Sequence, residues 1–561
     1  MRRLLLLVFV TVLNGQTAFE SFIDVKVPMR DGIHLSTNVF HPQAPGRYPA
    51  ILVRTPYGKG TALAPFYRGF VERGYAFVIQ DVRGMRGSEG IFRPLDQEGQ
   101  DGDDTLNWIA AQPWSDGKVG MIGGSYLGIA QWEVAVHGNP HLKAIFPVVS
   151  GADAYRDRYY SRGGALKWGH RLLWMSENVR APGFFKPDLA KWLWHTPERT
   201  ADRAVAGQTV DWYQNVLDHP QYDRFWRNRS IREKLASIKV PVFAVGGWYD
   251  NYAESDLEAF SLLRSLGKTA YIVIGPWGHN MSEKIAGLDF GRDAALNVRQ
   301  YQLEWFGHWL KGSALPPYPP ARLFVTGENA WHGEDDWPPS DVRTLNVFLS
   351  TKGRANTAAG NGGFSTTPGR KQRSDLFTYD PKKPVPTRGG SICCNAAVFP
   401  SGPLDQRPIE QRRDVLVYTG RPLKQPLEIA GTVQVQLWVS TSAPDTDFTA
   451  KLVDVEPDGT ARLVTDGILR LRYRGGLDHA EFARPRETYA ITIDAGVSAH
   501  VFRAKHRVRL EISSSNFPRF DRNPNTGRPI ANETEYRTAQ QTVYSGGRTA
   551  SALLLPVVPG R

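Results

Sequence analysis

Cysteine is nearly missing from this chain of 561 residues; the two present are adjacent, Cys393 and Cys394. So few exclude a disulfide-stapled scaffold and a cysteine-built zinc site. There is no H-E-x-x-H stretch either, so no metal and no cofactor is expected. No lysine/arginine run stands behind the formal charge of +12, which comes from 68 basic against 56 acidic residues. A scattered excess of this size makes a basic surface that favours anionic surfaces or substrates, and it does not point to nucleic acid. Long apolar runs are also scarce. The stretch Leu4–Leu13 follows Arg2 and Arg3 and leads through small or polar residues to Ala18. It is shorter than the ~20 residues a membrane-spanning helix needs. A charged start, a short apolar run and a small-residue exit predict a signal peptide over residues 1–18, with a buried N-terminal strand as the alternative. The mature protein is expected to be exported, periplasmic or secreted, with no stable membrane anchor.

What is present describes a globular protein. Hydrophobic residues make up 41% and charged residues 22%, enough for a large core. Glycine (54) and proline (39) suit a loop-rich, partly β chain. Short apolar runs at Ala50–Arg54, Tyr75–Gln80, Lys118–Ile122 and Lys143–Ser150 alternate with helix-like stretches at Phe66–Arg73, Gly99–Gln112 and Gly128–His137. The alternation returns at Val240–Val245 and Ala270–Ile274 and predicts a parallel α/β sheet over 19–150 and 236–330. The intervening 151–235 is helix-like and holds six tryptophans, which predicts an inserted helical cap. From 331 to 561 the pattern is of short alternating runs, such as Thr432–Val439, Phe448–Val455 and His506–Ser513, and predicts an all-β sandwich. Thr351–Pro368, rich in glycine, alanine, asparagine and threonine, is expected to be a mobile surface loop.

The chemistry concentrates at Gly123-Gly124-Ser125-Tyr126-Leu127-Gly128, between a strand and a helix. A nucleophile there stands clear of the sheet on a tight turn that glycines permit, at a helix N-terminus that favours developing negative charge. The last glycine falls three places after Ser125, not two as in G-x-S-x-G. A serine needs a base, and the base an orienting carboxylate, in the order Ser, acid, His. Asp250 ends the run Val240–Val245 through Gly246-Gly247-Trp248-Tyr249, and His279 ends Ala270–Ile274 through Gly275-Pro276-Trp277-Gly278. Both fall at strand C-termini, where open α/β sheets bind ligands. Arg54-Thr55-Pro56-Tyr57-Gly58-Lys59 lies where an oxyanion donor is expected; a glycine-rich donor motif is absent, and the Tyr57 phenol is a candidate replacement. Asp81 and Arg83 are expected to pin a loop beside the site.

Together these segments, with Asp81–Gly84, Trp114–Gly120, Thr326–Pro338, Gly402–Gln406, Ser440–Leu452 and Ser513–Asn516, resemble the cocaine-esterase-like, X-prolyl dipeptidyl-peptidase-like serine hydrolases, the CocE/NonD group, which is related to α-amino acid ester hydrolases and glutaryl-cephalosporin acylases. The resemblance spans nearly the whole mature chain. It implies an α/β-hydrolase core, an inserted helical cap and a C-terminal jelly-roll. It implies Ser125, Asp250 and His279 as the catalytic triad, with an oxyanion hole from the Tyr57 hydroxyl and the Tyr126 backbone N–H. Trp168, Trp174 and Trp248 are the expected substrate-binding aromatics.

The expected function is cleavage of a small ester or amide through an acyl-enzyme on Ser125. Alternatives within that chemistry are an α-amino acid ester hydrolase or β-lactam acylase and an X-Pro dipeptidyl-peptidase-type amidase. The alternative of another class is a non-catalytic carbohydrate-binding protein on a hydrolase scaffold. Related amino-ester hydrolases hold the substrate ammonium with acidic residues two and three positions after the triad aspartate. Here those positions are Tyr252 and Ala253, which predicts neutral acyl groups. The sequence leaves open whether Cys393 and Cys394 pair, and whether the protein is a homo-oligomer.

Overall fold

The computed structural model describes residues 18–186, 188–393, 397–398 and 400–561. The predicted signal peptide falls on residues outside that set, apart from Ala18. The first body is a ten-stranded sheet. Its strands are β1 (Phe19–Pro28), β2 (His34–Pro42), β3 (Tyr48–Thr55), β4 (Ala76–Asp81), β5 (Ser115–Gly124), β6 (Leu142–Val148), β7 (Val242–Gly247) and β8 (Ala270–Gly275); beyond a small hairpin of β9 (Lys284–Ile285) and β10 (Leu288–Asp289) come β11 (Ala321–Val325) and β12 (Ala330–Glu334). The spatial order is β1-β2-β4-β3-β5-β6-β7-β8-β11-β12. Neighbours from β4 to β11 run parallel, and antiparallel pairs close both edges. Every residue of β4 and β7 is buried. That is why their sequences read as continuous apolar runs: helices cover both faces of a parallel sheet. The chain order reverses between β3 and β5, which places a topological switch point at the C-terminal end of β5.

The helices of this body are α1 (Pro65–Val71), α2 (Glu98–Ala110) and α3 (Tyr126–Ala135). Between β6 and β7 lies a single π-turn, Ala154–Tyr159, followed by α4 (Trp168–Asn178), α5 (Leu189–Trp192), α6 (Ala201–Ala206), α7 (Asp211–Asp218) and α8 (Arg224–Arg229). This segment has its own core of Tyr155, Leu172, Val205, Tyr213 and Trp226, which also takes in Ile392 and Phe517 from the C-terminal body. After β7 and β8 come α9 (Ala253–Ser265) and α10 (Val298–Lys311). Strand β12 still belongs to the first sheet, so that sheet runs past the expected boundary at 330/331.

The C-terminal body is all antiparallel strands in two sheets, one of seven and one of four. Val433, Val435 and Leu437 of the larger sheet pack on Tyr418, Leu452 and Leu510 of the smaller, the alternating inward residues of a sandwich. The segment expected to be a mobile loop is tied down. Gly363–Ser365 pairs with Arg343–Ser350, and the buried Asp375 carboxylate accepts from the Thr351 hydroxyl at 2.8 Å and the Ala355 N–H at 2.8 Å. Cys393 is disulfide-bonded; Cys394, the chain's other cysteine, lies outside the described residues.

Candidate active site

Ser125 sits between β5 and α3 with φ 56° and ψ −125°. Its N–H donates to Val148 O at 2.9 Å, which holds the turn to β6. The flanking glycines answer to space. A Cβ at Gly123 would lie 2.4 Å from Leu127 Cβ, and one at Gly128 would lie 2.6 Å from Ser150 Cβ. The displaced third glycine therefore lets α3 pass close over the end of β6.

Asp250 and His279 come from the loops after β7 and β8, and those loops are laced together. Trp248 N–H donates to Gly275 O and Tyr249 N–H to Trp277 O, both at 2.9 Å. Asp250 is fully buried. Its Oδ2 is 2.6 Å from His279 Nδ1, and its Oδ1 accepts the Tyr252 N–H at 3.1 Å. With Nδ1 engaged by the carboxylate, Nε2 is the nitrogen left for chemistry.

The Tyr57 loop is fixed from below. Lys59 N–H donates to Asp81 Oδ1 at 2.8 Å, while Arg83 pairs with Asp31 at 2.7 Å and with Asp101 at 2.6 Å. Tyr57 is 40% exposed as a residue, yet its hydroxyl end lines the cavity and faces Ser125, where desolvation raises the phenol pKa. The Trp174 indole N–H donates to the Tyr57 oxygen at 3.5 Å, which leaves the phenolic hydrogen to donate elsewhere. Tyr126 is the first residue of α3, so its N–H has no carbonyl one turn earlier to bond. Its side-chain hydroxyl is engaged elsewhere: it donates to Glu98 at 2.8 Å, and Glu98 in turn binds the buried Arg54 at 2.5 Å.

Ser125, His279, Tyr57 and Tyr126 line one cavity of about 360 Å³, with Trp174, Tyr252, Arg158 and Arg171 among its other walls. The family models described as X-Pro dipeptidyl-peptidase (S15 family) and X-Pro dipeptidyl-peptidase C-terminal non-catalytic domain match residues 31–281 and 314–554. The chain is 39% identical to the cocaine esterase of Rhodococcus sp. (strain MB1 Bresler), over 95% of this chain and 98% of that one. The chain belongs to the CocE/NonD family of serine hydrolases. A solved α-amino acid ester hydrolase superposes with a TM-score of 0.85 at 27% identity, covering 98% of both chains. An aminopeptidase from a marine sediment Thaumarchaeota archaeon superposes with a TM-score of 0.83 at 27% identity, covering 97% of both. This CocE/NonD member is thus a serine hydrolase acting on ester or amide bonds, with an α/β domain followed by an all-β domain of antiparallel strands.

Two of the three expected substrate aromatics are used elsewhere. Trp168 is 2% exposed in the cap core and donates its indole N–H to Leu193 O at 2.7 Å. Trp248 is also 2% exposed, packs on Trp337 and donates to Phe324 O at 2.7 Å. Each ring is consumed by core packing and a buried hydrogen bond, so neither reaches the cavity; Trp174 does, stacked on Tyr126. Sequence reasoning missed Arg158 and Arg171, since nothing in a lone arginine within a helical stretch marks it as cavity-facing. Among the described residues one group offers metal-ligand spacing, Glu328, His332 and Glu428, with ligand atoms within 4.8 Å of one another. None of the three lines this cavity, and the Arg561 guanidinium stands 4.0 Å from Glu428 as a counter-charge.

Proposed function

We propose that Ser125, His279 and Asp250 form the triad of this hydrolase, and that the Tyr57 hydroxyl and Tyr126 N–H form its oxyanion hole. The observation that carries the reading is the 2.6 Å Asp250–His279 bond opening onto the cavity that holds Ser125 on its left-handed turn. Ser125 Oγ attacks the carbonyl carbon while His279 Nε2 takes its proton. Asp250 holds the imidazole tautomer and supports its positive charge. The carbonyl oxygen becomes an anion between the two donors, His279 returns the proton to the leaving alcohol or amine, and water repeats the sequence to free the acid. A fluorophosphonate probe tests this directly. The expected result is a single labelled site at Ser125; labelling elsewhere, or none in folded protein, overturns it.

Two features favour an acyl group without a free α-amine. Glu254 is bound by Arg162 at 2.5 Å, and Asp256 accepts the Gly151 N–H at 2.9 Å, so neither acid after Asp250 turns into the cavity. A sugar-binding role for the all-β domain draws no support from its cleft at Asn356, Phe377 and Asp414. The ring in that lining, Phe377, is 4% exposed and offers no stacking platform. We read the two-sheet C-terminal body as a jelly-roll that buttresses the cap and the hydrolase domain, and the N-terminal leader as an export signal.

A further inference from the structure

Arg171 of α4 is a buried cation held beside the reaction. It is 6% exposed and lines the same cavity as Ser125, Tyr57 and His279. Among the described residues it forms no ion pair with a carboxylate, and its Nε has no hydrogen-bond partner. Its Nη2 lies 2.8 Å from a ring nitrogen of His170, and its guanidinium carbon lies 4.9 Å from the centre of the Tyr159 ring. Neither group supplies a counter-charge. Burial and the adjoining guanidinium hold His170 neutral, and burial holds the Tyr159 phenol protonated. Arg158, the other arginine of the cavity, faces the Glu133 carboxylate at 3.7 Å and is thereby accounted for. The carboxylate in the cavity lining, Glu177, is exposed and drawn outward to Lys186 at 3.4 Å. Burial disfavours the Arg171 cation, yet a guanidinium stays protonated at neutral pH.

An anion appears in this cavity only during the reaction. As Ser125 Oγ bonds to the carbonyl carbon, the C=O π pair moves onto oxygen, between the Tyr57 hydroxyl and the Tyr126 N–H. A permanent carboxylate beside Arg171 would cancel its field. Without one, the field falls on the charge that develops, and exclusion of water makes it count. Helix α4 sets the placement. Arg171 and Trp174 are three residues apart and so share a helix face, and the Trp174 indole N–H donates to the Tyr57 oxygen at 3.5 Å. Burial raises the Tyr57 phenol, while Trp174, Ser125 and the Arg171 charge each pull it back down, so the guanidinium is near enough for the phenol to feel it. We propose that Arg171 is a positioning residue whose charge polarises the Tyr57 hydroxyl and makes it a stronger donor to the oxyanion. The inference rests on the triad and oxyanion-hole reading above and adds a residue to it. It asks nothing of the substrate beyond its carbonyl.

The test uses p-nitrophenyl acetate, a neutral ester with little to contact the cap. Arg171→Met should lower kcat about tenfold or more with KM changed less than about threefold, whereas Arg171→Lys, which keeps the charge, should recover much of the loss. In a Tyr57→Phe background the same Arg171→Met change should cost less than about threefold, because the hydroxyl it acts on is gone. An equal loss in both backgrounds, a loss confined to KM, or no loss overturns the inference. A second readout separates charge from fit. With 3-fluorotyrosine at position 57, the ring fluorine resonance reports ionisation of the phenol as pH is raised. Its midpoint should rise by about half a pH unit or more in Arg171→Met and stay near wild type in Arg171→Lys. A midpoint that does not rise overturns the inference. If Ser125 takes no fluorophosphonate label, or Tyr57→Phe alone leaves kcat unchanged, the reading beneath the inference has failed instead. The fluorine titration then still decides whether Arg171 polarises the phenol.

Discussion

At the scale of single residues, the backbone at Ser125 costs energy for the sake of position. A non-glycine residue at φ 56° and ψ −125° stores about 1–3 kcal/mol of strain. Ser125→Ala should therefore keep the fold and melt no lower than wild type, while turnover falls to the ~10³–10⁴-fold residue over water that binding and the oxyanion hole supply. Near-normal activity in folded Ser125→Ala would remove the triad assignment. Tyr57→Phe should lower kcat by about 10²–10³-fold with little change in KM, because its donor serves the anion more than the ground-state carbonyl. Steady-state kinetics checks this, and a change confined to KM would make Tyr57 a mere wall. Glu133 supplies a pH test. Its pKa is raised from the ordinary 4.5 to about 7 by burial, so the protonated form suits the folded state. The stability this gives is fully present below pH 4.5 and is lost as pH rises through about 7. Glu133→Gln cannot ionise, so its melting temperature relative to wild type should climb between pH 4.5 and 7 and then level off. A difference independent of pH, measured by calorimetry, would contradict the assignment.

At the scale of elements, the glycine that departs from the common spacing is the one to alter. Gly128→Ala puts a methyl 2.6 Å from Ser150 Cβ, and overpacking of this kind costs about 1–3 kcal/mol. The melting temperature and kcat should fall together, since α3 carries Ser125 at its start, and Ser150→Gly should restore part of both. Unchanged melting would show that α3 has slack. Much of this layer was legible in the chain. Buried parallel strands read as solid apolar runs, so β3 to β8 could be found within a few residues. The loops bearing Ser125, Asp250 and His279 announced themselves by their glycines: a Cβ at Gly247, for instance, would meet Trp277 O at 2.4 Å. The edge strand β1 went unread because Glu20, Asp24 and Lys26 interrupt it, as suits a strand with mostly solvent-facing side chains. Thr351–Pro368 looked loose because its composition is small and polar, but its anchor is Asp375, twenty residues beyond Ala355 and invisible to local pattern. The same limit hid the cavity arginines and misassigned Trp168 and Trp248. A ring or a guanidinium has the same local sequence whether it faces a core or a cavity.

At the scale of the whole molecule, the two bodies and the cap share their interiors. The first core includes Ala430, Val497 and Val501 from the C-terminal body, and the cap core includes Ile392 and Phe517. Arg162 of the cap binds Glu254 at 2.5 Å and Glu258 at 2.9 Å on α9 and approaches Asp494 of the sandwich at 3.9 Å. Leu166 N–H donates to Asp521 at 2.9 Å, and Asp521 also binds the buried Arg470 at 2.8 Å. Scanning calorimetry should therefore show one cooperative transition, and a chain ended near residue 340 should fail to give soluble, active protein. Two resolved transitions would mean that the shared residues couple the bodies weakly. The clamped cap has a kinetic meaning as well. A lid that swings can admit a molecule larger than its resting pocket and then close around it. This cap is fastened to both neighbours, so ligands reach the cavity without a swing of the cap. Such a pocket works as a gauge of fixed bore: it sorts molecules by girth before any bond is broken, and its throughput follows diffusion and fit, with no domain movement to wait for.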